Sequence, residues 1–236
     1  MSRAEGRRVP SAPRLGAAVR EAGLDLYYNS IRLVLSNIAW AAGVVAVGFA
    51  ASRSIAGLAL LVLLIPLTAG LMSMATALVR NGHVVLSDFS DGMRHRFLPH
   101  LGIGLGQLLL VGVAVADLAS GLQVAGLLGL VLVVGAVYSL AAIWIVAVSS
   151  WPVLLDPLRA GDPVRANLRT GVLLTLAHPV RLTVVALVVG AVLIVSAVLA
   201  AALVTIAGAF TFLVAARYVL PAADRLEGRA TLEVDD

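Results

Sequence analysis

Cysteine and lysine are both absent from this 236-residue chain. Without cysteine there can be no disulfide, no thiolate metal site and no cysteine nucleophile. Without lysine, arginine carries every fixed positive charge, 17 in all. Charge is scarce altogether. Only 13% of residues are charged, against about a quarter in a soluble domain. No Asp, Glu, Arg or His falls at the expected midplane of an apolar run. That removes the buried carboxylate on which proton- and ion-coupled transport usually depends. No Walker sequence is present, so nucleotide hydrolysis is not expected, and no serine has the surroundings of a nucleophile elbow. The four histidines show no metal-ligand spacing. Gly102-Ile103-Gly104-Leu105-Gly106-Gln107 lacks the strand and the last glycine of a dinucleotide loop. Gly102 and Gly106 read instead as a small-xxx-small pair for close helix packing. No cofactor is expected.

What is present is apolar. Hydrophobic residues make up 61% of the chain, and the mean hydropathy is +1.02. That surplus needs lipid as part of its solvent. The isoelectric point is near 10.3, but the net charge is only +4. The arginines flank the apolar runs and form no single patch. Anionic lipid head groups, not nucleic acid, are the expected partner. About 30 polar-rich residues precede the first apolar run, so a cleaved signal peptide is not expected.

The pattern predicts an all-α polytopic membrane bundle. Residues 1–14, rich in Arg and Pro, read as a disordered cytoplasmic tail. Residues 15–29 read as a short interfacial amphipathic helix. Leu15, Val19, Ala22 and Leu26 form its apolar face, opposite Arg20, Glu21 and Asp25, and Tyr27 and Tyr28 anchor it. A membrane domain over 30–220 follows, then a cytoplasmic tail over 221–236. Spans are expected near Ile31–Ala51, Ile55–Val79, Leu98–Leu118 and Leu122–Ser149, each supplying the ~20 apolar residues a bilayer requires. Leu182–Ala216 has no ionisable group. As one helix it would measure ~52 Å, too long for ordinary tilt. It divides into spans near 181–198 and 202–219, giving six. One long bent helix, giving five, is the alternative, because no Gly, Pro, Asn or Asp marks a turn between Gly190 and Gly208.

Six spans with both termini inside place 16 of the 17 arginines on the cytoplasmic side and only Arg53 outside, as the positive-inside rule asks. Five spans would move Arg217, Arg225 and Arg229 outside. With six spans, Trp151 and Tyr218 sit at cytoplasmic ends, as interface aromatics. The outer loops are tiny, one of them around Asp117–Gly121. The inner ones carry two amphipathic helices near 83–97 and 162–177. Their apolar rows are Val85, Phe89, Met93, Phe97 and Val164, Leu168, Val172, Leu176. Asp162-Pro163 reads as an N-cap followed by proline at the first helical position. Pro66 to Pro99 and Pro152 to Pro179 bracket these helices in similar settings, a hint of parallel duplication.

Polar groups at membrane depth are functional candidates, because burying them without partners is costly. They are Asn37, Thr68, Gln107 and Ser139, with Pro66 as a source of a kink. Interhelical hydrogen bonding is the plainer role for each.

Asn37-Ile38-Ala39-Trp40, then Ile65-Pro66-Leu67-Thr68-Ala69-Gly70, then Leu86-Ser87-Asp88-Phe89 and Arg96-Phe97 resemble the YesL-like family of bacterial membrane proteins. Trp151-Pro152-Val153-Leu154 is similar to its aromatic-Pro-Leu element. The resemblance covers about 70 residues and adds Trp40 to the candidates. The Arg/Pro-rich start and the acidic end (Glu233, Asp235, Asp236) depart from the family. The resemblance implies an inner-membrane accessory of carbohydrate uptake, with no established activity.

The reading is therefore a non-enzymatic membrane protein of the bacterial cytoplasmic membrane. It docks a partner, such as ABC transporter subunits or a second copy of itself, through Phe89, Met93, Phe97, Leu168 and Val172. A permease subunit for a small solute such as a sugar is the alternative, although the coupling-loop pattern of sugar permeases is missing. A lipid-interface enzyme is a third reading, and it would need Asp88, Asp91, His95 and His100 to converge.

Overall fold

A computed structural model describes residues 14–199 and 203–229. The expected disordered tail up to residue 13, the last residues from 230 and residues 200–202 lie outside the described residues. The rest is helical: α1 (Leu15–Tyr28), α2 (Ser30–Arg53), the single-turn α3 (Ile55–Leu58), α4 (Leu64–Asn81), α5 (Ser87–Arg94), α6 (Phe97–Gln123), α7 (Leu127–Leu154), α8 (Val164–Ala177), α9 (Pro179–Val198) and α10 (Gly208–Leu226). Among the described residues, six helical segments are long and apolar enough to cross a membrane. The protein is a multi-pass integral membrane bundle.

The last helix is its central post. Leu213, Val219 and Leu220 of α10 are fully buried, and α10 packs against α1, α2, α4, α7, α8 and α9. Helix α6 packs mainly on α7, and both helices turn most of their surface outward. Leu109 and Leu127 are 70% and 77% exposed, which is tolerable only where lipid replaces water.

Six spans, not five, is the observed division. Helix α9 ends at Val198, and Leu203–Ala207 forms a π turn that leads into α10. Such a turn frees backbone groups where no water can serve them. Asn37 of α2 serves them instead. Its Oδ1 accepts from Ala209 N at 2.8 Å, and its Nδ2 donates to the Val204 carbonyl at 2.8 Å. Gly208 permits this approach, since a Cβ there would lie 2.6 Å from Asn37 Oδ1.

Several boundaries shift. The turn between α6 and α7 falls at Val124–Gly126, where Gly126 takes φ 85°, so Asp117 lies within α6. Helix α7 runs past Pro152 to Leu154. Helix α10 continues through Pro221 to Leu226, so the segment from 221 begins as helix, not tail. Helix α5 starts at Ser87, not near 83, and Phe97 already belongs to α6. Pro66 lies inside the span Ala56–Asn81. It sits in the first turn of α4, directly after a 3₁₀ stretch at Ala59–Leu63. With no N–H to give the carbonyl four residues back, proline suits the junction between the tighter coil and the α-helix. Gly102 and Gly106 have open space beside them, and Gly104 makes the close contact, against Ile65. Asp162 does not cap α8; Pro163 holds that position, with no side-chain cap.

Both short helices pack back on the preceding span through a glycine against a serine. Gly92 of α5 meets Ser73, and Gly171 of α8 meets Ser150. Helix α1 lies along α10 through the buried Ala18 and Ala22. Its acidic edge also faces inward, because Arg217 of α10 forks onto Asp25 at 2.7 and 2.8 Å.

Candidate functional site

Two constellations stand out: a layer of ion pairs at the arginine-rich end of the bundle and an apolar cavity deeper within it.

The layer is built where three spans end. Arg80 closes α4, Asp156 and Arg159 follow α7, and Asp224 lies in the last turns of α10. Arg80 grips two carboxylates at once. Its Nε and Nη2 donate to Asp156 at 2.9 and 2.5 Å, and its Nη1 and Nη2 donate to Asp224 at 2.6 and 3.1 Å. Arg159, with a side chain 0% exposed, reaches Asp156 at 3.1 Å, Asp224 at 2.8 Å and Glu227 at 2.6 Å. Only a planar guanidinium can fork onto carboxylates in this way; an ammonium is a point charge. At the margin, Arg229 meets Asp162 and Glu227, each at 2.7 Å. Burial alone would push the Glu227 carboxyl up. Bonds from Thr170 and Arg159, with the charges of Arg159 and Arg229, hold it below its ordinary value. Bonding to Asp162 outweighs desolvation at Arg229 and raises its guanidinium further above neutrality.

The same end is stitched further by arginine-to-carbonyl bonds. Arg32 donates to the Val84 carbonyl at 2.8 Å. Arg96 donates to the Asp162 carbonyl at 2.6 Å and to that of Ala160. Arg96 does so from the left-handed region, at φ 49°, a conformation a bulky residue adopts only when its surroundings hold it there. Arg53, at the other end of α2, lies over the Phe49 ring at 4.7 Å.

The cavity measures about 490 Å³ and lies between α4, α6, α7, α9 and α10. Its wall is almost entirely apolar. Two of the sequence candidates, Thr68 and Gln107, line it. Each accepts an indole N–H: Trp40 Nε1 reaches Thr68 Oγ1 at 3.1 Å, and Trp151 Nε1 reaches Gln107 Oε1 at 2.9 Å. The third indole, Trp144, donates to the Ala186 carbonyl at 2.9 Å. Trp40 also stands edge-on to Phe212 at 5.9 Å. Trp151 and Tyr218 are therefore inside the bundle, 8% and 5% exposed, and not at its lipid rim as expected. The Thr68 O–H and the Gln107 amide N–H donate to no described residue. The cavity thus offers a guest a greasy wall and two donors.

Of the other candidates, Asn37 belongs to the α10 start described above, Pro66 to the α4 start, and Ser139 is exposed on α7. Phe89 and Met93 face Gly70 of α4, so that row is partly used inside the chain. Phe97 is 42% exposed, and Leu168 and Val172 are half-buried on α8. Asp88, Asp91 and His95 line one groove of about 590 Å³. His100 does not join them: it is buried against Trp151, at 6.2 Å between ring centroids. The carbonyls of His95 and Leu154 lie near the His100 ring, but neither ring nitrogen makes a well-formed hydrogen bond. Among the described residues no three His, Asp or Glu side chains converge on a possible metal position.

Sequence reasoning missed the ion layer. Its available signal was an acid at the end of an apolar run, Asp156 and Asp224, on the side where arginines gather. No family model, curated protein or solved structure matches this chain.

Proposed function

We propose that the protein is a non-enzymatic component of a bacterial cytoplasmic membrane, with both termini inside, that docks a partner on its cytoplasmic face. By its resemblance to YesL-like proteins, the partner is an ABC transporter of carbohydrate uptake. The observation that carries the reading is the layer joining the ends of α4, α7 and α10 through Arg80, Asp156, Arg159 and Asp224. It fixes loops that would otherwise move, and a pre-organised face loses less entropy on binding. Phe97, Leu168 and Val172 offer apolar contact beside that layer. Benzoylphenylalanine placed at each of these three positions in living cells tests the docking. Crosslinks to a transporter's membrane or ATP-hydrolysing subunit are expected. Crosslinks to lipid alone would overturn it.

A second reading, a carrier for a small solute, draws support from the cavity. Its wall suits an apolar guest with one or two acceptor oxygens, not a sugar, whose hydroxyls would go unpaired there. Uptake of an apolar solute with one or two acceptor oxygens by proteoliposomes of the protein alone would favour transport over docking.

A further inference from the structure

We infer that a separate pocket at the arginine-rich end binds a phosphate group, carried either by an anionic phospholipid or by a soluble phosphate. The pocket, about 310 Å³, lies between the α8–α9 corner and α10. His178, Arg181 and Arg225 bring basic groups to it, Tyr218 stands in its wall, and Leu174 and Leu182 contribute apolar surface.

Three independent features point to an anion. Tyr218 is only 5% exposed, yet its hydroxyl makes no hydrogen bond to a described residue. That oxygen is not sealed off by protein: Tyr218 lines the cavity, so a ligand there can reach it. Arg181 and Arg225 both lie within Coulombic reach of that hydroxyl. Arg181 forms no ion pair among the described residues. The nearby acids of α10 are committed elsewhere, Asp224 to Arg80 and Arg159, and Glu227 to Arg159 and Arg229. Helix α9 also begins here with Pro179, and its first α bond is from Leu182 N to the His178 carbonyl. The amides of Val180 and Arg181 precede that bond, at the positive end of the helix dipole.

Depth favours a lipid. Arg181 stands in the first turn of a span, the level of a head group, and basic pockets between spans at that level suit anionic head groups. Val180 and Leu176, 74% and 71% exposed beside the pocket, would meet the acyl chains.

The test is the unfolding midpoint of the protein in phosphatidylcholine nanodiscs, titrated in one arm with phosphatidylglycerol and in the other with inorganic phosphate. Wild type is expected to be stabilised in at least one arm. Stabilisation by phosphatidylglycerol alone assigns the site to a head group; stabilisation by inorganic phosphate as well assigns it to the phosphate group itself. Arg181→Gln should weaken the effect about fivefold. Tyr218→Phe, which changes no charge, should weaken it measurably. Arg165→Gln, an exposed arginine outside the pocket, should change it less than about twofold. No stabilisation in either arm overturns the inference. So does an equal loss in Arg165→Gln and Arg181→Gln, because a diffuse surface field would then explain the binding, and so does an unchanged response in Tyr218→Phe.

Discussion

Replacing Arg159 by methionine should cost the bundle several kilocalories per mole. The side chain is 0% exposed and serves Asp156, Asp224 and Glu227. Without it, Asp156 and Asp224, whose side chains are 0% and 7% exposed, share only Arg80. Two carboxylates then face one guanidinium in a place from which water is largely excluded. Breaking a buried pair by removing one partner costs about 3–5 kcal/mol, roughly a hundredfold to a few thousandfold in the folding equilibrium. Arg159→Lys should recover only part of that loss, since one ammonium cannot span three carboxylates. Replacing Arg80, Arg159, Asp156 and Asp224 together by apolar residues of similar volume should be far milder than the single change, because no charge is then stranded. The assay is reversible unfolding in mixed micelles by increasing dodecyl sulfate, followed by tryptophan fluorescence. If Arg159→Met loses less than about 1 kcal/mol, the value of a solvated surface pair, the layer is not buried as described and the reasoning fails.

Other substitutions probe other links. Asn37→Leu strands the Ala209 N–H and the Val204 carbonyl at a depth without water; a loss of about 1–3 kcal/mol in the same assay is expected. Gly171→Val would place a Cβ 2.6 Å from Ser150 Oγ and 2.7 Å from its Cα. Helix α8 must then lift from α7, at about 1–3 kcal/mol, and proteolysis of the 156–178 segment should quicken. The Glu227 carboxyl is held below its ordinary value of 4.5, so its contribution is complete above that value and disappears as pH falls through the folded value. Unfolding midpoints measured down through the acid range should decline, and Glu227→Gln should flatten that part of the decline.

The spans were legible because length and hydropathy determine them, and lipid allows few alternatives. The break in the 182–216 run was harder to place. No turn-forming residue marks it, because the group that satisfies its backbone, Asn37, lies some 170 positions earlier in the chain. Asn37 was recognisable as an isolated amide in an apolar run, but its partners were not. The ion layer was hidden for a different reason. Arg80, Arg159 and Arg217 follow the same flanking pattern as every other arginine, and orientation alone explains that pattern. Nothing local separates a solvated flank from a buried fork. Only the packing of α10 against α4 and α7 brings Asp224 to Arg80. Trp151 and Tyr218 misled similarly, since aromatic residues near span ends occur both at lipid rims and in helix seams.

Helix α10, on which six other helices lean, follows all six of them in the chain. Until α10 emerges, Asn37 has no backbone to hold, Arg80 lacks one of its two carboxylates, and α1 has nothing to lie along. The earlier spans must therefore wait in the bilayer as a loose company, with polar groups improvising partners, until α10 joins them. A chain stopped short of residue 208 would keep five spans and lose the seam that unites them.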